Sequence, residues 1–78
     1  MNYELLIKLL AELRALNALY QHAHWQVVGP TGYADHLLFQ RLYEGLGDEI
    51  DTLAEKLVSA CGPDCIDPVT QMSDMCAA

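Results

Sequence analysis

A single Gly-Pro break separates two long helical periods, and that arrangement leaves the chain few folds. Leu5, Leu6, Leu9, Leu10, Leu13, Leu16, Leu19 and Tyr20 recur at the three- and four-residue spacing of a helix. Lys8, Ala11, Ala15 and Ala18, all strong helix formers, fill positions between them. The pattern runs through His24 and Trp25 and fades at Val27 and Val28. Gly29-Pro30 then ends it, because glycine suits the residue after a helix and proline cannot continue one. Asn2 is placed to cap the start, with Glu4 favourable to the helix dipole. A second apolar stripe follows the break: Phe39, Leu42, Leu46, Ile50, Leu53 and Leu57, with Thr31 in a capping position. The expected helices cover about 3–28 and about 32–60. A connection this short makes them antiparallel neighbours, so the fold class is all-α and the unit in 1–60 is a helical hairpin.

Cys61-Gly62-Pro63 stops the second helix, and 61–78 reads as a linker entering a short helix with Val69, Met72 and Met75 on its apolar side. Gly45 and Gly47 interrupt the second helix, each at a cost of about 1 kcal/mol relative to alanine. They mark either a close approach by a helix or ligand, or a weakness that a long helix tolerates. No internal repeat or low-complexity stretch is visible.

The 78 residues allow one small domain, yet 53% of them are apolar. Two helices cannot hide that much apolar surface, which implies a partner chain or further chain. The net charge is −7, and the four basic residues, Lys8, Arg14, Arg41 and Lys56, are dispersed. Nucleic acid and anionic membranes are therefore unexpected partners, while cations suit the surface. No secretory leader is evident, and the longest apolar run is far short of the ~20 residues that span a bilayer. Three cysteines cannot form a self-contained disulfide framework, so the expected compartment is the reducing cytoplasm. Cys61 and Cys65, with Cys76 further on, match no structural zinc spacing and read as incidental tail residues.

Chemistry concentrates in a polar ribbon on the second helix. Steps of three and four from His36 reach Gln40, Glu44, Gly47, Asp51 and Glu55, which share one face. At 1.5 Å per residue, Asp51 lies roughly 22 Å and Glu55 roughly 28 Å from His36. Those acids cannot share a metal with His36 inside one chain. His24 can, because it sits about one turn before the bend and His36 about one turn after it. The chain thus carries a histidine half-site at the bend and a carboxylate half-site, Asp51 and Glu55, towards the far end. A two-fold pairing of hairpins would bring each against the other, giving two identical sites. Mixed imidazole and carboxylate ligation suits iron, with zinc or manganese as substitutes.

These residues resemble a known family. H-W-x-V-x-G-P from His24 to Pro30, a second histidine twelve residues after the first, and D-x-x-x-E from Asp51 to Glu55 are similar to the Dps proteins, or mini-ferritins, over roughly residues 5 to 70. The resemblance covers that family's first two helices and the start of its crossover. It implies half of a ferritin-like four-helix bundle, with His24 and His36 as iron ligands in one subunit and Asp51 and Glu55 donated by another. It further implies a ferroxidase, with a single or di-iron site, that turns ferrous into ferric iron, usually with peroxide. Iron storage or protection against oxidative stress would be its purpose, in a homodimer or a larger cage.

Three departures stand beside it. Gln40 occupies a place where the family usually has an acid, which weakens the second metal position, and Glu44 one turn on is the substitute through a water. The third and fourth helices are missing, so two hairpins must pair or the sequence is a fragment, the favoured expectation. A lysine-rich arm, one route to DNA in that family, is also missing. The rival is a non-catalytic helical assembly module whose metal site is a relic. His22 is expected in solvent, Trp25 in packing, Tyr20, Tyr33 and Tyr43 in core or interface, and Asp48 and Glu49 on a solvated face.

Overall fold

The computed structural model describes residues 3–77 and is an all-α hairpin with a third helix folded back on it. Helix α1 spans Glu4–Gln26, α2 spans Gly32–Cys61 and α3 spans Pro68–Ala77, with a 3-10 turn at Pro63–Ile66 before α3. Tyr20 meets Phe39 and His24 meets His36, so residue numbers rise on one helix as they fall on the other. That is the antiparallel arrangement the short connection required.

The ends of the helices differ in detail from their expected places. α1 stops at Gln26 because Val27 turns extended (φ −67°, ψ 134°), although its N–H still reaches the Ala23 carbonyl at 3.1 Å. Gly29 serves the bend rather than the helix end: its φ of +95° lets the chain reverse, and its carbonyl accepts from the Gly32 N–H at 3.0 Å. Thr31 does occupy the position before α2, but its hydroxyl donates to Asp35 Oδ2 at 2.9 Å and caps no amide. Asn2 lies outside the described residues, and Tyr3 before α1 contributes no side-chain cap.

Two helices side by side can each bury one stripe. Leu10 and Ala11 of α1 and Leu57 of α2 are the buried apolar residues among those described. The molecule is a slab of 49 × 22 × 16 Å, too thin to enclose the rest. Leu5 is 74% exposed and Trp25 64%, so Trp25 lies mostly in solvent, with the His22 ring tilted beside it at 5.7 Å. Gly45 and Gly47 meet nothing that a Cβ would touch within 4 Å, which makes them tolerated weaknesses within one copy. No described helix is long and apolar enough to cross a membrane.

Helix α3 docks on α1 through a polar residue that sequence reading passed over. Gln71 is fully buried, donating from Nε2 to the Ile7 carbonyl at 3.2 Å and accepting from Arg14 Nη1 at 3.3 Å. Of the apolar residues expected on one side of α3, Val69 and Met72 remain exposed, while Met75 is half-buried. An amide satisfied at both ends can sit against a helix without an unmet hydrogen bond. Asp67 organises the start of α3, accepting from the Thr70 N–H at 3.0 Å and the Thr70 hydroxyl at 3.1 Å.

The cysteines also depart from expectation. Cys61 and Cys65 are joined as a disulfide, while Cys76 is free and exposed. The Gly62-Pro63 turn doubles the 3-10 turn back on the end of α2 and holds the two Cα atoms 6.1 Å apart. That turn needs glycine, since Gly62 has φ +91° and ψ 163°, a region nearly closed to side-chain-bearing residues. Gly62→Ala is expected to lose about 1–3 kcal/mol of stability. Gly45→Ala, in open helix, is expected to gain about 1 kcal/mol. Urea midpoints compare the two, and equal midpoints would contradict the account of Gly62.

Candidate metal centre

The centre is built at the bend, where α1 gives up its helical hydrogen bonds. The His24 carbonyl lies in the last turn of α1, where no following helical amide can reach it. His36 takes that role: its Nδ1–H donates to the His24 carbonyl at 2.9 Å. The reverse bond also forms, from His24 Nδ1–H to the His36 carbonyl at 2.8 Å. The two imidazoles therefore clasp each other's backbone across the hairpin. Their rings stack with centroids 3.7 Å apart and planes 28° apart, and the Tyr43 ring stands edge-on to His24 at 5.3 Å.

This clasp decides the chemistry of both rings. A carbonyl can only accept, so each Nδ1 must carry the hydrogen. In the neutral ring the lone pair is then on Nε2, the atom a metal would take. Histidines that ligate metals commonly donate their other ring nitrogen to a backbone carbonyl in this way, which fixes tautomer and orientation. His24 is buried and His36 half-buried, so side chain and main chain hold both rings in place.

Gln40, one turn further along α2, is oriented as well. Its Nε2 donates to Glu44 Oε1 at 3.0 Å, because a carboxylate accepts and only the amide nitrogen can give. The Gln40 amide oxygen is thereby left as the atom available to a cation. Glu44 is exposed, and so are Asp51 and Glu55 on the same helix. Tyr43, Glu44, Asp48 and Asp51 of α2, with Asn17 and Gln21 of α1 opposite, line an open groove of about 470 Å³.

The two half-sites stay apart within the chain. α2 runs unbroken from Gly32 to Cys61, so His36 and Asp51 are separated by roughly 22 Å of helix. Among the described residues no group of three or more His, Cys, Asp or Glu side chains gathers to hold a metal ion. The donor set is thus two imidazoles, plus an amide oxygen one turn away. Two imidazoles and an amide oxygen are fewer donors than a metal ion takes, and no carboxylate of the described residues joins them. Asp48 and Glu49 are exposed, as is His22, while Tyr20 stacks on Phe39 and Tyr33 is open to solvent.

The fold and the clasp define an all-α hairpin carrying a paired-imidazole half-site. Comparison with known proteins narrows this somewhat. The chain is similar, at 38% identity over 61 residues, to an uncharacterized protein in the bpoA2 5′ region of Kitasatospora aureofaciens, a match covering 78% of this chain and 41% of that protein. It is similar, at 42% identity over 50 residues, to DNA protection during starvation protein 2 of Deinococcus radiodurans, a match covering 64% of this chain and 21% of that protein. The matched stretch therefore covers less than half the length of either relative. No family model matches it, and no solved structure matches it significantly. The second likeness supports, at most, a Dps-like relationship for the 50 matched residues.

Proposed function

We propose that this hairpin is the ligand-bearing part of an iron-oxidising protein of the Dps type. Ferrous iron is its substrate, taken between His24 and His36 of one copy and Asp51 and Glu55 of a second. The observation that carries the reading is the reciprocal clasp, which leaves Nε2 of both histidines as the free lone pairs at one level of the hairpin. The carboxylates supply negative charge that a ferric product needs more than a ferrous substrate does. Each ferrous ion gives up one electron. A peroxide takes two, with two protons, and leaves as water. Gln40, with its amide oxygen outward and Glu44 behind it, would hold a second ion less firmly than a carboxylate. Storage of the ferric product, or removal of iron and peroxide together, is the service this chemistry would perform.

A second reading has one observation in its favour: Leu5, Leu19 and Val28 are largely exposed and call for a covering partner. In that reading the hairpin is an assembly module and its half-sites are idle. Ferrous titration, run both under air and with stoichiometric hydrogen peroxide and followed by ferric absorbance, separates the two. Rapid oxidation is expected from the unaltered protein, and buffer-rate oxidation from His24→Ala and from Asp51→Ala. If all three proteins match buffer, the iron reading fails and the assembly module stands.

A further inference from the structure

The corner between α2 and α3 carries chemistry that the iron site does not use. Cys61 is the last residue of α2, and Cys65 lies in the 3-10 turn that follows. Their bond closes a loop with three residues between its ends, so it constrains little chain and contributes little to global stability. A crosslink of that kind is poorly explained as a structural staple. Cys61 is exposed and Cys65 half-buried, so both oxidant and reductant can reach the pair. The crosslink also stands close to something it can control: two residues, Ile66 and Asp67, separate Cys65 from α3. Helix α3 has only ten residues, and Gln71 is its one fully buried side chain against α1, so its hold depends on how its entry is fixed.

We propose that Cys61 and Cys65 are a reversible dithiol–disulfide pair, closed by hydroperoxides and opened by thiol reductants, and that closure locks α3 onto α1. In closure the exposed Cys61 sulfur attacks a peroxide oxygen, the O–O bond breaks, and water or an alcohol departs. Cys65 then displaces the remaining oxygen as water and forms the S–S bond. Two thiols and one hydroperoxide thus give one disulfide, one water and one further water or alcohol. Two electrons pass from sulfur to oxygen, and both thiol protons end on the released oxygens. A dithiol reductant returns two electrons and two protons and is itself oxidised. The nearness of Cys65, with the two Cα atoms 6.1 Å apart, favours the second step, displacement at the oxidised Cys61 sulfur. None of this depends on iron.

The test uses metal-free protein. It is reduced with dithiothreitol, desalted, treated with hydrogen peroxide, and alkylated in denaturant for intact mass. Three labels are expected before peroxide, one after it at monomer mass, and three again after dithiothreitol. Cys76→Ser is expected to lose two labels on peroxide treatment, and Cys61→Ser none. Retention of both labels by Cys76→Ser, sulfinate in place of the disulfide, or a linked dimer would overturn the pair. Amide hydrogen exchange in 68–77 reads the lock: about tenfold faster exchange is expected in the reduced form. Exchange that is unchanged or slower on reduction would overturn the lock.

Discussion

Mixing His24→Ala protein with Asp51→Ala protein is expected to restore ferrous oxidation that neither variant has alone. The reason is the length of α2, which holds the histidine end and the acid end of one copy roughly 22 Å apart. In a two-fold pair built from one copy of each variant, one site collects both lesions and the other collects none. Random exchange at equal concentration makes half of the pairs mixed, so about a quarter of all sites become intact. Oxidation near a quarter of the unaltered rate is the expected reading. A site complete within one chain predicts no recovery at any ratio, and that result would end the shared-site account. Removing His24 also removes one bond of the clasp, so a melt of each variant should accompany the assay. The change also removes a buried ring that packs on His36 and Tyr43, so an intact melt is what identifies lost oxidation as a lost ligand.

Leu10→Ala is expected to cost more stability than any other single leucine truncation in α1. Leu10 is 1% exposed and is one of the few apolar side chains fully enclosed among the described residues. Leucine-to-alanine changes at such sites cost about 2–5 kcal/mol, from lost burial and from the cavity left behind. Domains of this size have total stabilities of about 4–12 kcal/mol, so the loss takes a large share of what holds the fold. The melting temperature should fall by roughly 10–20 °C, read by far-ultraviolet circular dichroism. Leu5→Ala removes the same atoms from a side chain that is 74% exposed. It should change stability by less than about 0.5 kcal/mol. Equal effects at the two positions would mean that a partner covers Leu5 under the conditions of the melt.

The contrast between Leu5 and Leu10 also shows what the sequence could and could not reveal. Both fit the helical period, and periodicity alone cannot say which of two adjacent stripes is covered in a single copy. The hairpin was legible because its signals are local: two apolar periods, one Gly-Pro break, and a connection too short for anything but an antiparallel return. Proximity of His24 and His36 followed from their equal distance from the bend. Their mutual backbone bonds did not, since those depend on which carbonyls the helix ends leave unpaired. The docking of α3 was hidden for a different reason. Hydrophobic pattern pointed to Val69, Met72 and Met75, of which only Met75 is half-buried, whereas the fully buried residue is Gln71, finding two polar partners on α1 that are 57 and 64 residues distant. The Cys61–Cys65 bond was missed by counting, because an odd number of cysteines rules out a complete framework and does not rule out one pair.

The straightness of α2 has one more consequence for any symmetric pairing. If His36 of one copy is to stand opposite Asp51 of another, the rotation dyad must cross the helix midway between them, at Tyr43 and Glu44. Residues on a dyad meet their own images, and Glu44 belongs to the same ribbon as both half-sites. Two identical anions would then confront each other at the centre of the assembly, a repulsion that bound cations relieve and that high salt screens. Association of a pair so arranged should accordingly tighten as divalent cations are added, and loosen when a chelator removes them.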